Sequence, residues 1–243
     1  MADEAAAIVL SYFRQPIAVE DKQDASPVTV ADRQAEAAMR LLIAQHVPHH
    51  GILGEEFGPE RTDAEWVWIF DPIDGTKAFI TGKPSFGTLI ALLHRGEPVL
   101  GIIDQPVLRE RWLGVKGRPT TLNGAVVKCR DCDDLGRAAL YSTAPEMFKD
   151  GDLTAFQRVR TAVKLCRFGA DCYAYGLLAL GFVDLIVEAS LQPYDYLAMV
   201  PVIEGAGGVI TDWQGGKLGL GSSGKVVAAG ARRAHEAALA LLG

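Results

Sequence analysis

Two aspartates three residues apart, Asp71 and Asp74, close an apolar run in the stretch Trp66-Val67-Trp68-Ile69-Phe70-Asp71-Pro72-Ile73-Asp74-Gly75-Thr76-Lys77. Carboxylates are the hard oxygen donors that Mg²⁺ prefers, and two such ions about 3.5–4 Å apart can clamp the attacking and leaving oxygens of a displacement. Gly75 permits close backbone approach to a ligand, and Thr76 and Lys77 offer N–H groups without intrahelical partners if a helical turn starts there. A phosphate held between cations and a helix N-terminus fits this arrangement. The same D-P-x-D-G also reads as an Asx turn after an edge strand. Other acids share the setting: Glu55 and Glu56 follow Ile52-Leu53-Gly54, Glu188 follows the expected strand 183–187, and Asp195 follows Pro193-Tyr194. Asp195 serves equally as a helix N-cap.

The elements that must position these acids can be read from periodicity. Residues 66–70 are β-favouring, and Pro72, which has no N–H for a ladder, is expected to end that strand. A first amphipathic helix is expected over 4–14, with Ala5, Ile8 and Tyr12 on one face. Residues 19–27 read as a loop exposing Lys22 and Asp24. Thr29 and Asp32 form a capping pair for a helix reaching about residue 45, with Ala35, Met39, Leu42 and Ile43 inward. On the residues alone, Asp32 is therefore structural. Strands are expected at 86–93 and 98–103, joined through Arg95-Gly96-Glu97, and at 111–115. A composition shift at 130–137 divides the chain into an N-terminal α+β part, 1–135, and a C-terminal α/β part, 136–243. The second part alternates strands (138–141, 183–187, 209–211, 226–229) with helices (152–160, 171–180, 195–206, 232–242).

Composition narrows the function class. The 243 residues are 49% apolar and 22% charged, an ordinary globular balance with room for a substantial core. The formal charge is 24 − 30 = −6, so neither nucleic acid nor a membrane surface is an expected partner. Residues 1–15 lack a basic start and apolar core, which makes the cytoplasm the expected location. Cys129, Cys132, Cys166 and Cys172 read as reduced thiols: the C-x-x-C of 129–132 has no matching second pair. His46, His49 and His50 sit in a loop without the spacing of a ligand pair.

Glu55-Glu56, the D-P-I-D-G-T of residues 71–76, and Asp195 followed by Glu204-Gly205-Ala206-Gly207-Gly208 together resemble the inositol monophosphatase superfamily of Mg²⁺-dependent, lithium-sensitive phosphomonoesterases. The resemblance runs from about residue 5 to 240. It implies a layered αβαβα sandwich of two intimately packed subdomains, a homodimer, and two to three Mg²⁺ ions per active site, with Mn²⁺ able to substitute. Residue by residue, it implies that Glu55, Asp71 and the Ile73 carbonyl hold a first ion, and that Asp71, Asp74 and Asp195 hold a second. Glu55 would also contact a third, weaker ion. Thr76, held by Asp32, would orient the attacking water together with Glu55, and the N–H groups of Gly75 and Thr76 would bind phosphate. The resemblance thus gives Asp32 a functional reading beside its capping one. Lys22 matches a site-approaching lysine.

One departure from the family pattern is Tyr194, where a tryptophan usually precedes the aspartate; an aromatic is retained. The context Arg167-Phe168-Gly169-Ala170-Asp171-Cys172-Tyr173 and Val187-Glu188-Ala189 is similar to the branch that dephosphorylates histidinol phosphate in histidine biosynthesis. On the leaving-group side, Glu188, Asp171 and Asn123 are expected to contact substrate, the two acids pairing with an amine or with polyol hydroxyls. Asp171 also reads as a helix cap. The alternatives are an inositol or broad sugar phosphatase, a 3′-phosphoadenosine nucleotidase, and a silent binding homologue.

Overall fold

A computed structural model describes residues 1–21 and 27–243; Lys22 and Asp24 lie outside the described residues. The chain opens with α1 (Ala2–Tyr12), the antiparallel pair β1 (Val19–Asp21) and β2 (Pro27–Thr29), and α2 (Val30–His46). That pair stands at both ends of the expected 19–27 loop, because β-branched Val19, Val28 and Thr29 favour extended backbone and pair across it. Thr29 caps α2 as its residues predict: its Oγ1 accepts the Ala31 N–H, and Asp32 Oδ2 reaches back to the Thr29 N–H at 2.8 Å.

Next come β3 (Gly51–Gly54), β4 (Gly58–Glu60), β5 (Trp66–Asp74), the short α3 (Thr76–Ile80), β6 (Gly87–His94), β7 (Glu97–Gln105), β8 (Glu110–Val115), β9 (Thr121–Leu122) and β10 (Ala125–Val126). These strands form an eight-stranded sheet of order β10-β9-β8-β7-β6-β5-β3-β4, with β3 and β5 its one parallel pair. The chain continues through β11 (Ala139–Ser142), α4 (Gly151–Ala162), β12 (Leu165–Phe168), α5 (Tyr173–Ala179), β13 (Leu185–Glu188), α6 (Pro193–Tyr196), α7 (Met199–Gly205), β14 (Val209–Asp212), β15 (Val226–Ala229) and α8 (Arg232–Leu242). The second sheet has the order β12-β11-β13-β15-β14.

Three apolar clusters join five layers into an α+β sandwich of αβαβα type. Ala5 and Val9 of α1 and Met39 and Ile43 of α2 pack on Phe70 and Ile90 of the first sheet. Helices α5 to α7 fill the space between the sheets, where Leu178, Tyr196 and Ile203 meet Leu89, Trp112 and Ile186. On the far face of the second sheet, Phe156 and Ala238 of α4 and α8 cover Leu140 and Val187. No helix among the described residues is long and apolar enough to cross a membrane.

Besides short strands that the sequence reading did not expect, such as β12, two elements differ from it at prolines. β5 does not stop at Pro72 but runs to Asp74, and its pairing with β6 loses register between Asp71 and Asp74. This bulge leaves no ladder position for Pro72 to donate to, while its carbonyl accepts the Thr88 hydroxyl at 2.8 Å. The helix expected over 195–206 breaks into α6 and α7. Pro201 cannot bond back to the Leu197 carbonyl and crowds it, so a new helix starts at Met199 and places Pro201 in its first turn.

Candidate active site

The parallel pairing of β3 with β5 sets Gly54 beside Phe70, so the next residues, Glu55 and Asp71, emerge together at the strand ends. The Glu55 N–H extends the ladder to the Phe70 carbonyl at 3.3 Å. The β5 bulge then turns the chain so that Asp71 Oδ1 accepts the Ile73 N–H at 2.9 Å and Asp74 Oδ2 accepts the Cys172 N–H at 2.6 Å. Asp195 lies in the first turn of α6, with Oδ2 on the Gln192 N–H at 2.8 Å. This capping bond coexists with a place in the cleft. Carboxylate oxygens of Asp71, Asp74 and Asp195 all lie within 4.8 Å of one another.

Such convergence is electrostatically unfavourable by itself. Burial pushes the Asp71 carboxyl well up, and the Glu55, Asp74 and Asp195 carboxylates push it further. Asp74 is raised by burial, then by Asp195 and Asp171. The leading influences on both are burial and like charge, and a compact set of oxygen donors fits a divalent hard cation that would cancel their repulsion.

Asp74 and Asp195 face a cavity of about 200 Å³ that Glu55, Gly75, Thr76, Asp171 and Glu188 also help to line. Gly75 has φ 85°, and a Cβ there would stand 2.8 Å from Asp171 Cγ, so the position excludes a side chain on two grounds. Asp171 itself adopts φ 49° and accepts the Ser85 hydroxyl at 2.8 Å; burial raises its carboxyl, while Ser85, Lys83 and Lys77 pull it back. It precedes α5 by two residues, and its side chain faces Ser85 and the cavity. Glu188, at the end of β13, is 3% exposed. Its Oε1 accepts the Thr143 N–H and hydroxyl at 2.8 and 2.6 Å, and its Oε2 accepts the Tyr175 hydroxyl at 2.8 Å. Burial raises the Glu188 carboxyl, and these bonds oppose the rise.

Two expected contacts are absent from this geometry. Asp32 does not hold Thr76: its Oδ2 is taken by the Thr29 N–H and hydroxyl, and the Thr76 hydroxyl donates to the Ile73 carbonyl at 3.1 Å. Among the described residues Asp32 Oδ1, which is buried, has no hydrogen-bond partner, and burial raises the Asp32 carboxyl. Asn123 is not brought to the cavity. It sits between β9 and β10 at φ 49°, where its side chain accepts the Arg111 N–H and donates to the Arg109 carbonyl.

The structure also reveals residues that sequence reasoning passed over. Thr143, Tyr175 and Ser85 grip the acids from distant segments, and nothing local marks them. Glu36 did carry a signal: it is a fully buried acid on the otherwise mostly apolar face of α2 formed with Ala35, Met39 and Ile43.

Likeness to known proteins agrees with this site. A family model described as the inositol monophosphatase family matches residues 1–243. The bifunctional phosphatase IMPL2, chloroplastic, of Arabidopsis thaliana is 52% identical over 98% of this chain and 72% of its own length. A histidinol-phosphatase of Chlorobaculum parvum is 35% identical over 88% of this chain and 84% of its own. A solved inositol monophosphatase from Zymomonas mobilis superposes with a TM-score of 0.92 at 49% identity, covering 99% of this chain and 94% of that one. A family match from end to end, with the acids gathered where the sheets meet α6, means that this chain belongs to the inositol monophosphatase family.

Proposed function

We propose that this phosphatase hydrolyses L-histidinol phosphate to L-histidinol and phosphate in a Mg²⁺-dependent reaction belonging to histidine biosynthesis. The observation that carries the substrate reading is the pair Glu188 and Asp171 on the same cavity as Asp74 and Asp195 of the acid cluster. An anionic ester would sit at the cluster, and its protonated amine would meet two acids a short distance away. The name of the Chlorobaculum relative supports the same choice.

Glu55, Asp71 and the Ile73 carbonyl would hold one ion, and Asp71, Asp74 and Asp195 a second, with a further weak ion at Glu55. Bound Mg²⁺ would favour deprotonation of the attacking water and stabilise charge on the leaving alkoxide. The Thr76 hydroxyl gives its proton to the Ile73 carbonyl, so it presents lone pairs that orient a water toward phosphorus, with Glu55 as the second acceptor. By family resemblance Asp32 is proposed to steer Thr76 in the metal-bound site, where the Thr76 hydroxyl would turn from the Ile73 carbonyl to Asp32 Oδ1. The Gly75 and Thr76 N–H groups, at the start of α3, would hold the phosphate oxygens. Glu188, fixed by three donors, would receive the ammonium, helped by Asp171.

A polyol ester is the second reading, because the same carboxylates accept hydroxyl protons and the Arabidopsis relative is named bifunctional. Phosphate release from L-histidinol phosphate and inositol 1-phosphate on one preparation separates them. We expect kcat/KM to favour histidinol phosphate by 10²-fold or more, about 2.7 kcal/mol of discrimination; comparable values would withdraw the biosynthetic assignment. By family resemblance we further propose a homodimer in the cytoplasm, with subdomains dividing near residue 135. Sedimentation velocity tests the dimer, and the chloroplastic relative makes a plastid the alternative location.

A further inference from the structure

The turn that carries Glu55 and Glu56 lies between β3 and β4, and β5 accepts the first of its N–H groups. Glu55 bonds back to Phe70 of β5, and the next two N–H groups go to one side chain on a different element. Glu36 Oε2 accepts the Glu56 N–H at 2.8 Å, and Glu36 Oε1 accepts the Phe57 N–H at 3.1 Å. Glu36 is wholly buried in α2, one turn after Asp32. Arg40, one further turn along, donates Nε to Glu36 Oε1 at 2.9 Å and reaches the Gly58 carbonyl at 2.5 Å, so it clasps the far end of the same turn. On its other side the carboxylate is pressed against Gly54, where any Cβ would overlap it. A bidentate acceptor on a rigid helix therefore fixes the peptide planes on the C-terminal side of Glu55, while β5 fixes them on the N-terminal side.

We propose that Glu36 is a positioning residue that fixes the Glu55 turn in the geometry needed to bind a divalent cation together with Asp71. The proposal rests on the reading of Glu55 as a cation ligand. A buried carboxylate with no more than a packing duty would be an expensive choice on a core-facing helix stripe, since an apolar side chain would fill the same volume without desolvating a charge. Its two accepted N–H groups and its ion pair with Arg40 are what the position supplies instead.

Mn²⁺ titration of the full chain followed by electron paramagnetic resonance, which counts unbound Mn²⁺ and needs no turnover, tests this. Wild type, Glu55→Gln and Glu36→Gln are titrated side by side, with the melting temperature of each metal-free protein recorded. The component of binding that Glu55→Gln removes should weaken tenfold or more in Glu36→Gln, and the component that survives in Glu55→Gln should change less than twofold. Glu36→Asp keeps the charge beside Arg40 but shortens the arm by one methylene; it should show the same selective loss, and it is read in place of Glu36→Gln if that variant does not fold. Unchanged binding in a folded Glu36 variant overturns the proposal. So does equal weakening of both components together with a fall in melting temperature, which is what packing alone would give. Identical Mn²⁺ binding by wild type and Glu55→Gln would instead remove the ligand reading of Glu55 on which the proposal stands.

Discussion

Four acids in one cleft repel one another until a cation joins them, and Asp71→Asn separates the two sides of that balance. The substitution removes the carboxylate proposed to bridge both ions, so kcat at saturating Mg²⁺ should fall roughly 10³-fold, about 4 kcal/mol in the transition state. Because it also relieves like-charge repulsion at a buried position, the metal-free variant should melt no lower than wild type. Turnover within tenfold of wild type would end the bridging role. Tyr175→Phe probes the opposite wall: Glu188 loses one of its three donors, and KM for the amine ester should rise roughly tenfold with kcat within threefold. Losing a hydrogen bond to a charged group should cost about 1.5–3 kcal/mol of stability by urea titration. The gathering of Asp71, Asp74 and Asp195 was legible because each follows an apolar strand or opens a helix, positions where carboxylates face outward into loops. Their partners were not, since Thr143 and Glu188 are 45 residues apart and Ser85 and Asp171 are 86 apart. Asn123 was misplaced for a local reason: a turn asparagine satisfies its own hairpin before it reaches any cavity.

Most elements followed their periodicity, and the exceptions come from proline and from pairs of strands too short to announce themselves. Pro72 was read as a strand stop because a regular ladder excludes it; the bulge that tolerates it is a tertiary solution, invisible in a single strand. Similarly, Pro201 gave a break that apolar spacing over 195–206 concealed. Helix α8 offers a test that is independent of the cleft. His235 is 4% exposed, with Nε2 2.8 Å from the Thr211 hydroxyl oxygen. Thr211 gives its own proton to the Asp212 carbonyl, which makes Nε2 the donor toward it. Burial lowers the His235 pKa, Arg232 lowers it further, and Glu236 opposes them. Below about pH 6.5 the unfolded chain takes up a proton that the folded one refuses, so stability falls as pH falls, by up to about 1.4 kcal/mol per pH unit. Urea midpoints at pH 7.5 and 5, with Mg²⁺ saturating, should differ less in His235→Gln than in wild type: the variant should lose less stability across this interval. An equal loss in both would show that the imidazole stays accessible to protons.

The site draws Glu55, Asp71 and Asp74 from the first sheet and Asp171, Glu188 and Asp195 from the later half of the chain, so a bound cation ties distant segments together. Mg²⁺ at a hundred times its dissociation constant should stabilise the fold by about 2.7 kcal/mol, or roughly 5–10 °C in melting temperature for a chain of this size. The raised carboxyls of the cleft give the metal-free protein stability that is lost as pH rises through their folded pKa values, so the Mg²⁺ increment should be larger at pH 8 than at pH 5. A shift of the same size at both values would separate metal binding from the acid cluster. The five-layer arrangement itself was available only through family resemblance: periodicity supplied strands and helices, but no local signal said which sheet each strand would join. One small volume between the halves reaches beyond stability. Gly75 and Asp171 share it so closely that a methyl group on residue 75 has nowhere to stand. A lineage that acquires a side chain at 75 must also move or lose the aspartate at 171, so the floor of the cleft and the wall proposed to face the amine are inherited together.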